Sequence, residues 1–410
     1  MRSTAADTPQ RYRDAFAVGE FRALFAAYTI STIGSVVSAV ALMVLVYDRT
    51  ASSLLASLTF ALAFVPYLVS GTLFSAAVER LPLRTLLVGC DLACAGVMAA
   101  MATRGIPVAA LLLLLLVVGT LSGVSGGARN ALLPSLVPAA AYIPARSLMR
   151  ITVQAAQIGG NAVGGALLVV VSPRLALLLN ALSFLLSALL IRAGTNVQSA
   201  TSDSRSGVLS DSLRGLREVM AIAPLRRLLL LYWLVPTCAV APEALAAPSV
   251  AALGGSDALV GWWLAAIPLG FVVGDLIAIW CVPAPRQIQL VGPLALGVFA
   301  PLLAFAFRPP FAIAFPLLVL SGAAAAYGLG LDARVRRAAP ADLLRRALAI
   351  NTAGLVALQG LGFAAAGALA EIVSPSTAIV VAGVAGLVVV ATLWPREASA
   401  HVGAGVHEAA

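Results

Sequence analysis

The sequence predicts an all-α membrane protein with twelve transmembrane helices, arranged as two related six-helix bundles about a pseudo-two-fold axis along the membrane normal. Three observations predict it: the composition, the length and rhythm of the apolar runs, and a repeat at half the chain length. Of 410 residues, 61% are hydrophobic and only 10% charged, and the mean hydropathy is +1.01. A soluble domain carries about 25% charged residues. A surface this poor in charge cannot face water, so lipid is the solvent.

A helix needs roughly 20 apolar residues to cross the hydrocarbon core. The first six runs that qualify cover 22–47, 52–78, 86–103, 107–128, 147–171 and 175–192. The next six cover 227–252, 257–282, 288–306, 311–331, 347–371 and 376–394. None alternates as membrane strands do. The expected organisation is a terminal tail over 1–20, a bundle over 21–192, a central loop over 193–226, a second bundle over 227–394 and a tail over 395–410. Residues 1–19 are polar with Arg2, Arg11 and Arg13, and the first apolar run is long enough to remain a span, so no cleavable leader is expected. In the central loop, Val208, Leu209, Leu213, Leu216 and Met220 share one helical face. That predicts an amphipathic helix on the membrane surface, with a solvated linker as the alternative.

The net charge of +9 comes from Arg alone, without a single Lys. Only Arg49, Arg104, Arg174 and Arg308 fall on one side of the predicted topology. The remainder lie on the other, which the positive-inside rule makes the cytoplasm, with both termini there. This distribution excludes nucleic acid as the partner. Cys90, Cys94, Cys238 and Cys281 lie within apolar runs without metal-site spacing, so they read as apolar fillers and no metal or cofactor is expected.

Gln157 to Pro173 reads QIGGNAVGGALLVVVSP, and 202 positions later Gln359 to Pro375 reads QGLGFAAAGALAEIVSP, with nine identical pairs. They include Gln157/Gln359, Gly160/Gly362, Gly165/Gly367 and Ser172-Pro173/Ser374-Pro375. Span 5 thus matches span 11. An even shift of six spans keeps the topology, so the halves are parallel repeats of the kind that rock about a midplane site.

The first span ends in LMVLVYDRTASSLLASL, the loop after span 4 reads ARNALLPSLVP, and spans 5 and 6 continue through GGALL and NALSFLLSALL. These stretches resemble the major facilitator superfamily, and within it the enterobactin-exporter-like, drug-efflux branch. Loop 2–3 carries Ser75-Ala-Ala-Val-Glu79-Arg80-Leu-Pro-Leu83-Arg84, a variant of the family's Gly-x-x-x-Asp-Arg-x-x-Arg-Arg signature. The resemblance implies an inner gate of Glu79, Arg80 and Arg84. Asp91, near the start of span 3, is its candidate carboxylate, and Arg129 and Arg150 are the candidate partners. Gly160-Asn161-Ala162-Val163-Gly164-Gly165 resembles the Gly-Pro-x-x-Gly-Gly antiporter motif with Asn for Pro. Small residues at this spacing also let helices approach closely. Gly34 is followed by Ser35 where relatives often carry an acid or amide.

A charge at bilayer depth costs at least about 2.5–3.5 kcal/mol on insertion scales. A carboxyl group there is therefore a candidate for carrying a proton. Glu243, in Pro242-Glu243-Ala244, and Asp275, after Gly274, are the candidates for proton coupling. The alternative for Glu243 is a solvated position near the outer surface. The family implies a cavity lined by helices 1, 4, 7 and 10. Ser31, Ser35 and Ser38 share a face of span 1, and Gln154, Gln157 and Asn161 share a face of span 5. Trp233, Thr237 and Tyr327 complete the candidates. Such a mildly polar cavity suits a small neutral or amphipathic molecule; interhelical hydrogen bonding is the alternative for each hydroxyl.

The expected function is proton-coupled export of a drug, siderophore or secondary metabolite by a single chain in the plasma or inner membrane. A proton-coupled importer of the same fold, or a sensor or scaffold derived from it, remains the alternative. No catalytic constellation is present, so no enzyme is expected.

Overall fold

The computed structural model describes residues 12–62, 81–138, 141–196, 216–340 and 343–394. Among these, every regular element is helical. Among the described residues, nine helical segments are long and apolar enough to cross a membrane. The other three predicted spans correspond to two shorter apolar helices, over Ser53–Leu62 and within Val291–Phe307, and to the less apolar helix Tyr142–Leu167.

The first bundle contains α1 (Gly19–Thr50), α2 (Ser53–Leu62), α3 (Leu83–Met101), α4 (Val108–Leu136), α5 (Tyr142–Leu167) and α6 (Pro173–Gly194). The second contains α7 (Ala223–Ala239), α8 (Asp257–Cys281), α9 (Val291–Leu303), α10 (Phe311–Ala324), α11 (Leu344–Ala370) and α12 (Pro375–Leu393). Several helices outrun the apolar stretches that predicted them. α1 has 32 residues, about 48 Å at 1.5 Å per residue, so it projects beyond a hydrocarbon core of about 30 Å. Hydropathy marks where lipid ends; the backbone ladder continues.

Two predicted single spans are broken. α7 carries Pro236, and the chain continues as short helices Ala241–Ala244 and Ala246–Ala252. Pro242 and Pro248 lie in these two short helices, and proline removes a donor and disfavours helix in the residue before it. Trp263 of α8 donates its indole N–H to the Pro242 carbonyl at 2.8 Å. α10 gives way after Ala324 to a second helix over Tyr327–Ala338. Of the predicted surface helix, only its end is described, as a helical turn over 216–221.

The halves pack alike. α1 packs on α5 and α6, and α3 on α4 and α6; correspondingly, α7 packs on α11 and α12, and α9 on α10 and α12. The repeated Ser-Pro pairs have equivalent roles. Ser172 and Ser374 are N-caps whose side chains accept from the backbone N–H of Leu175 and Thr377, each followed by proline in the first turn. A cap of this kind satisfies an otherwise orphaned donor, and proline there loses none.

The end at which α1 begins is termed the terminal end, and the other the distal end. At the terminal end, Phe21, Leu24, Leu86, Leu132 and Met149 belong to a core cluster of the first bundle alone. At the distal end, the core of the second bundle takes in Val40, Met43 and Val44 of α1 and Ala56 and Ala61 of α2. The described bundles therefore merge distally.

Candidate functional site

Two cavities share a collar formed by Thr32 and Ser35 of α1 and Ser122 of α4. The first, about 550 Å³, occupies the terminal half of the first bundle. The second, about 360 Å³, lies between the bundles. Their linings differ in chemistry.

The terminal chamber holds charge. Asp91 and Arg129 both line it, with Tyr28, Ser125, Asn130 and Arg146. Asp91 is 3% exposed and accepts from Ser187 Oγ at 2.6 Å. Arg129 lies within electrostatic reach of Asp91. Its guanidinium stacks 4.1 Å from the Tyr28 ring centroid and its Nη2 lies 3.4 Å from Ser125 Oγ. Two of the gate candidates thus meet in one cavity. Arg84 instead donates to the Arg192 carbonyl, tying α3 to the end of α6. Glu79, Arg80 and the Arg150 side chain lie outside the described residues.

The chamber between the bundles is more apolar, with Val36, Leu42, Met98, Leu115, Phe60 and Phe363 among its walls. Glu243 is the one charged side chain among its described lining residues, and Gln157 and Asn161 of α5 also line it. The broken backbone after α7 carries Glu243 to this wall. At the distal end of the chamber, Phe60 of α2 stacks on Phe363 of α11, ring centroids 5.4 Å apart and planes 15° apart.

The remaining candidates divide. Ser31 lines the terminal chamber, Ser38 the chamber between the bundles, and Ser35 both. Each hydroxyl also bonds back to its own helix, Ser31 to Tyr28, Ser35 to Ser31 and Ser38 to Ser35. Asn161 Nδ2 donates to the Leu264 carbonyl at 3.0 Å, joining α5 to α8. Gln154, Trp233, Thr237 and Tyr327 line neither chamber. Trp233 is buried, donates to the Asn351 carbonyl at 3.0 Å and packs against Gly354. Thr237 bonds its own helix at Trp233, and Tyr327 is buried in the second bundle's core. Asp275 is half-buried, beside the close approach of Gly274 to Ala323 of α10, and it lines neither chamber.

Several contributors escape a reading of the sequence, Ser187 on Asp91 among them. Tyr28 supports Arg129. Asn180 donates to Ser38 Oγ at 2.7 Å and accepts from Ser183. The Phe60/Phe363 pair closes the distal side. The aromatic at 363 falls opposite Asn161 in the repeat, a weak signal without the partner helix.

The distal junction has two seams. On one, α5 meets α8: a Cβ on Gly165 would lie 2.6 Å from Gly261 Cα, and one on Gly261 would lie 2.4 Å from Gly165 Cα. On the other, α11 meets α2: a Cβ on Gly367 would lie 3.0 Å from Leu54 Cα. Gly165 and Gly367 are the pair that the 202-residue repeat matches.

A sequence profile of the family described as Transmembrane secretion effector matches residues 14–400. No curated protein sequence matches the chain. Among solved structures, a bacterial homologue of the human lysosomal transporter Spinster, inward-facing and unoccupied, superposes with a TM-score of 0.65 at 17% identity, covering 94% of this chain and 95% of that one. A peptide transporter POT in complex with sulfate gives 0.69 at 13% identity, covering 95% and 96%. A D-xylose–proton symporter gives 0.65 at 16% identity, covering 94% and 98%. At these identities the likeness is one of fold.

Proposed function

Since the chain belongs to the transmembrane secretion effector family, of the major-facilitator type, and is therefore a multi-pass membrane protein and secondary transporter, we propose that it exports a small amphipathic organic molecule by proton antiport. The observation that carries the reading is the chamber between the bundles, with Glu243 as its one charged described wall residue. A carboxyl group in an apolar chamber can bind either a proton or a substrate's polar group, and exchange between the two is the simplest antiport. The apolar walls and the amides of Gln157 and Asn161 suit an amphipathic body. The family's description as a secretion effector supports export, and the motif residues around ARNALLPSLVP support the enterobactin-exporter-like, drug-efflux branch.

The two halves rock about this chamber. The distal merging of the described bundles supports an inward-facing state, and the Arg distribution along the sequence supports cytoplasmic termini in a plasma or inner membrane. Asp91 and Arg129 are the described centre of the inner gate, to which the loop 2–3 signature supports adding Glu79, Arg80 and Arg84, with Arg150 a further candidate partner. Glu243 is the proton carrier at the chamber, and Asp275 is its second candidate. The chain acts alone, with lipid as its solvent.

Everted vesicles containing the protein and a pH-sensitive dye test this with amphipathic drugs and catecholate siderophores. One compound class is expected to release protons in the wild type, with release abolished in Glu243→Gln. Release that persists in Glu243→Gln but stops in Asp275→Asn moves the coupling site to α8. Inserted protein that carries labelled compound without moving protons rules out antiport.

A further inference from the structure

Glu371 follows the last residue of α11 and reaches across to the first bundle. Its Oε1 accepts from Ser52 Oγ at 2.7 Å and from the Leu54 backbone N–H at 2.8 Å. Both donors lie at the start of α2, where the first N–H groups have no partner within the helix. A carboxylate from one bundle therefore caps a helix of the other, and the N-terminal end of a helix dipole favours an anion.

The contact stands at the head of a column. Phe363 and Gly367 of α11 and Glu371 at its C-cap recur every four residues. They meet Phe60, then Ser57 and Leu54, then Ser52 and Leu54 of the first bundle. From the chamber outward the column runs aromatic stack, backbone approach, charged cap. The repeat shows how special the cap is. A shift of 202 takes Glu371 to Val169, which is 69% exposed. The α5–α8 seam thus has the glycine approach without the carboxylate.

Taking the rocking motion proposed above as given, we infer that Glu371 is the lock of the distal face: its hydrogen bonds to α2 hold the inward-facing state, and they must break before the chamber can open on that side. Among the described residues its bonded partners are neutral donors. Those donors hold its carboxyl below the usual carboxylate range, so it stays ionised near neutral pH. The other titratable groups at this junction are Tyr47 of α1, which feels Glu371 and Asp48, Asp48 itself, and Asp257 of α8, which acts on Asp48. Arg49 turns away and donates to the Ile106 carbonyl at 3.0 Å.

The test is a distance across the distal face. Full-length protein in lipid nanodiscs, its four native cysteines replaced by alanine, carries spin labels at Arg104→Cys and Phe307→Cys. Neither site touches the lock. At neutral pH the wild type is expected to show mainly the short distance. Glu371→Ala should raise the ratio of long to short by about two- to ten-fold for each hydrogen bond lost. Glu371→Gln, which keeps an acceptor without the charge, and Ser52→Ala, which removes one donor, should fall between. Below about pH 5 the wild type should shift toward the long distance as Glu371 protonates, and Asp48→Asn and Asp257→Asn should retain that shift. A Glu371→Ala distribution identical to wild type overturns the lock, and a second distance populated by acid or substrate would then leave the rocking motion standing. A single distance under every condition and in every variant overturns both.

Discussion

Asp91 illustrates how one acidic side chain is held inside an apolar span. Its carboxylate is buried, accepts one short hydrogen bond from Ser187 and faces Arg129, whose guanidinium is stacked on Tyr28. Removing one partner of a buried charged group leaves that group under-satisfied, a loss of about 1–3 kcal/mol. Ser187→Ala should therefore destabilise the first bundle by about that amount, read as a lower melting temperature in detergent. Tyr28→Leu should lose the stacking and weaken the Arg129 position, an effect of about 0.5–2 kcal/mol. The sequence marks Asp91 and Arg129 because charge within an apolar run is costly wherever it sits. It does not mark Ser187 or Tyr28, because a hydroxyl on a neighbouring helix is an ordinary residue until the helices meet.

At the scale of helices, the glycines separate by what their missing Cβ would strike. A methyl at Gly261 would lie 2.3 Å from the Asn161 carbonyl oxygen and 2.4 Å from Gly165 Cα, both backbone atoms that cannot swing away. Gly261→Ala should force α8 off α5 and disfavour distal closure, seen as slower transport with a larger population of the distally open state. At Gly89 of α3 nothing lies within 4 Å, and alanine is a better helix former by about 0.8–1.0 kcal/mol. Gly89→Ala should accordingly be stable and fully active. The α1–α2 turn offers a third case. Ala51 has φ 49°, a left-handed conformation that costs an L-residue roughly 1–2 kcal/mol. Ala51→Gly should raise the melting temperature without changing transport.

For the whole molecule, the distal lock adds a pH dependence of its own through Glu371. Its carboxyl is depressed below its ordinary value of 4.5 by the Leu54 and Ser52 donors. A depressed carboxyl stabilises the closed distal face fully above that ordinary value, and the contribution fades as pH falls through the lowered one. The contribution of the lock to the closed fraction should thus be flat from neutral pH to about 5 and decline below it, and the difference between wild type and Glu371→Gln isolates that decline. Spin-label distances in nanodiscs titrated on both faces measure it. The same scale explains the reach of the repeat. Gly165 and Gly367 carry out one task in two places because the halves pack alike about one axis, whereas Glu371 has no counterpart and makes the two seams unequal.

The sequence by itself determined the solvent, the helical class, the two-bundle plan and the equivalence of spans 5 and 11. These follow from apolar length, charge distribution and a repeat, all properties of the chain taken in order. It also singled out Glu243, Asp91 and Arg129, since an intramembrane charge is conspicuous in one dimension. Only the tertiary structure decided which side chains meet. It put Glu243 on a chamber wall by breaking the helix after α7, while Trp233 and Tyr327 became packing residues of the second bundle. It also brought Glu371 to the start of α2, 319 positions away from Ser52. The reason is physical: periodicity encodes which face of a helix is apolar, but a contact depends on how two helices are placed, and that is fixed by the packing of all of them together.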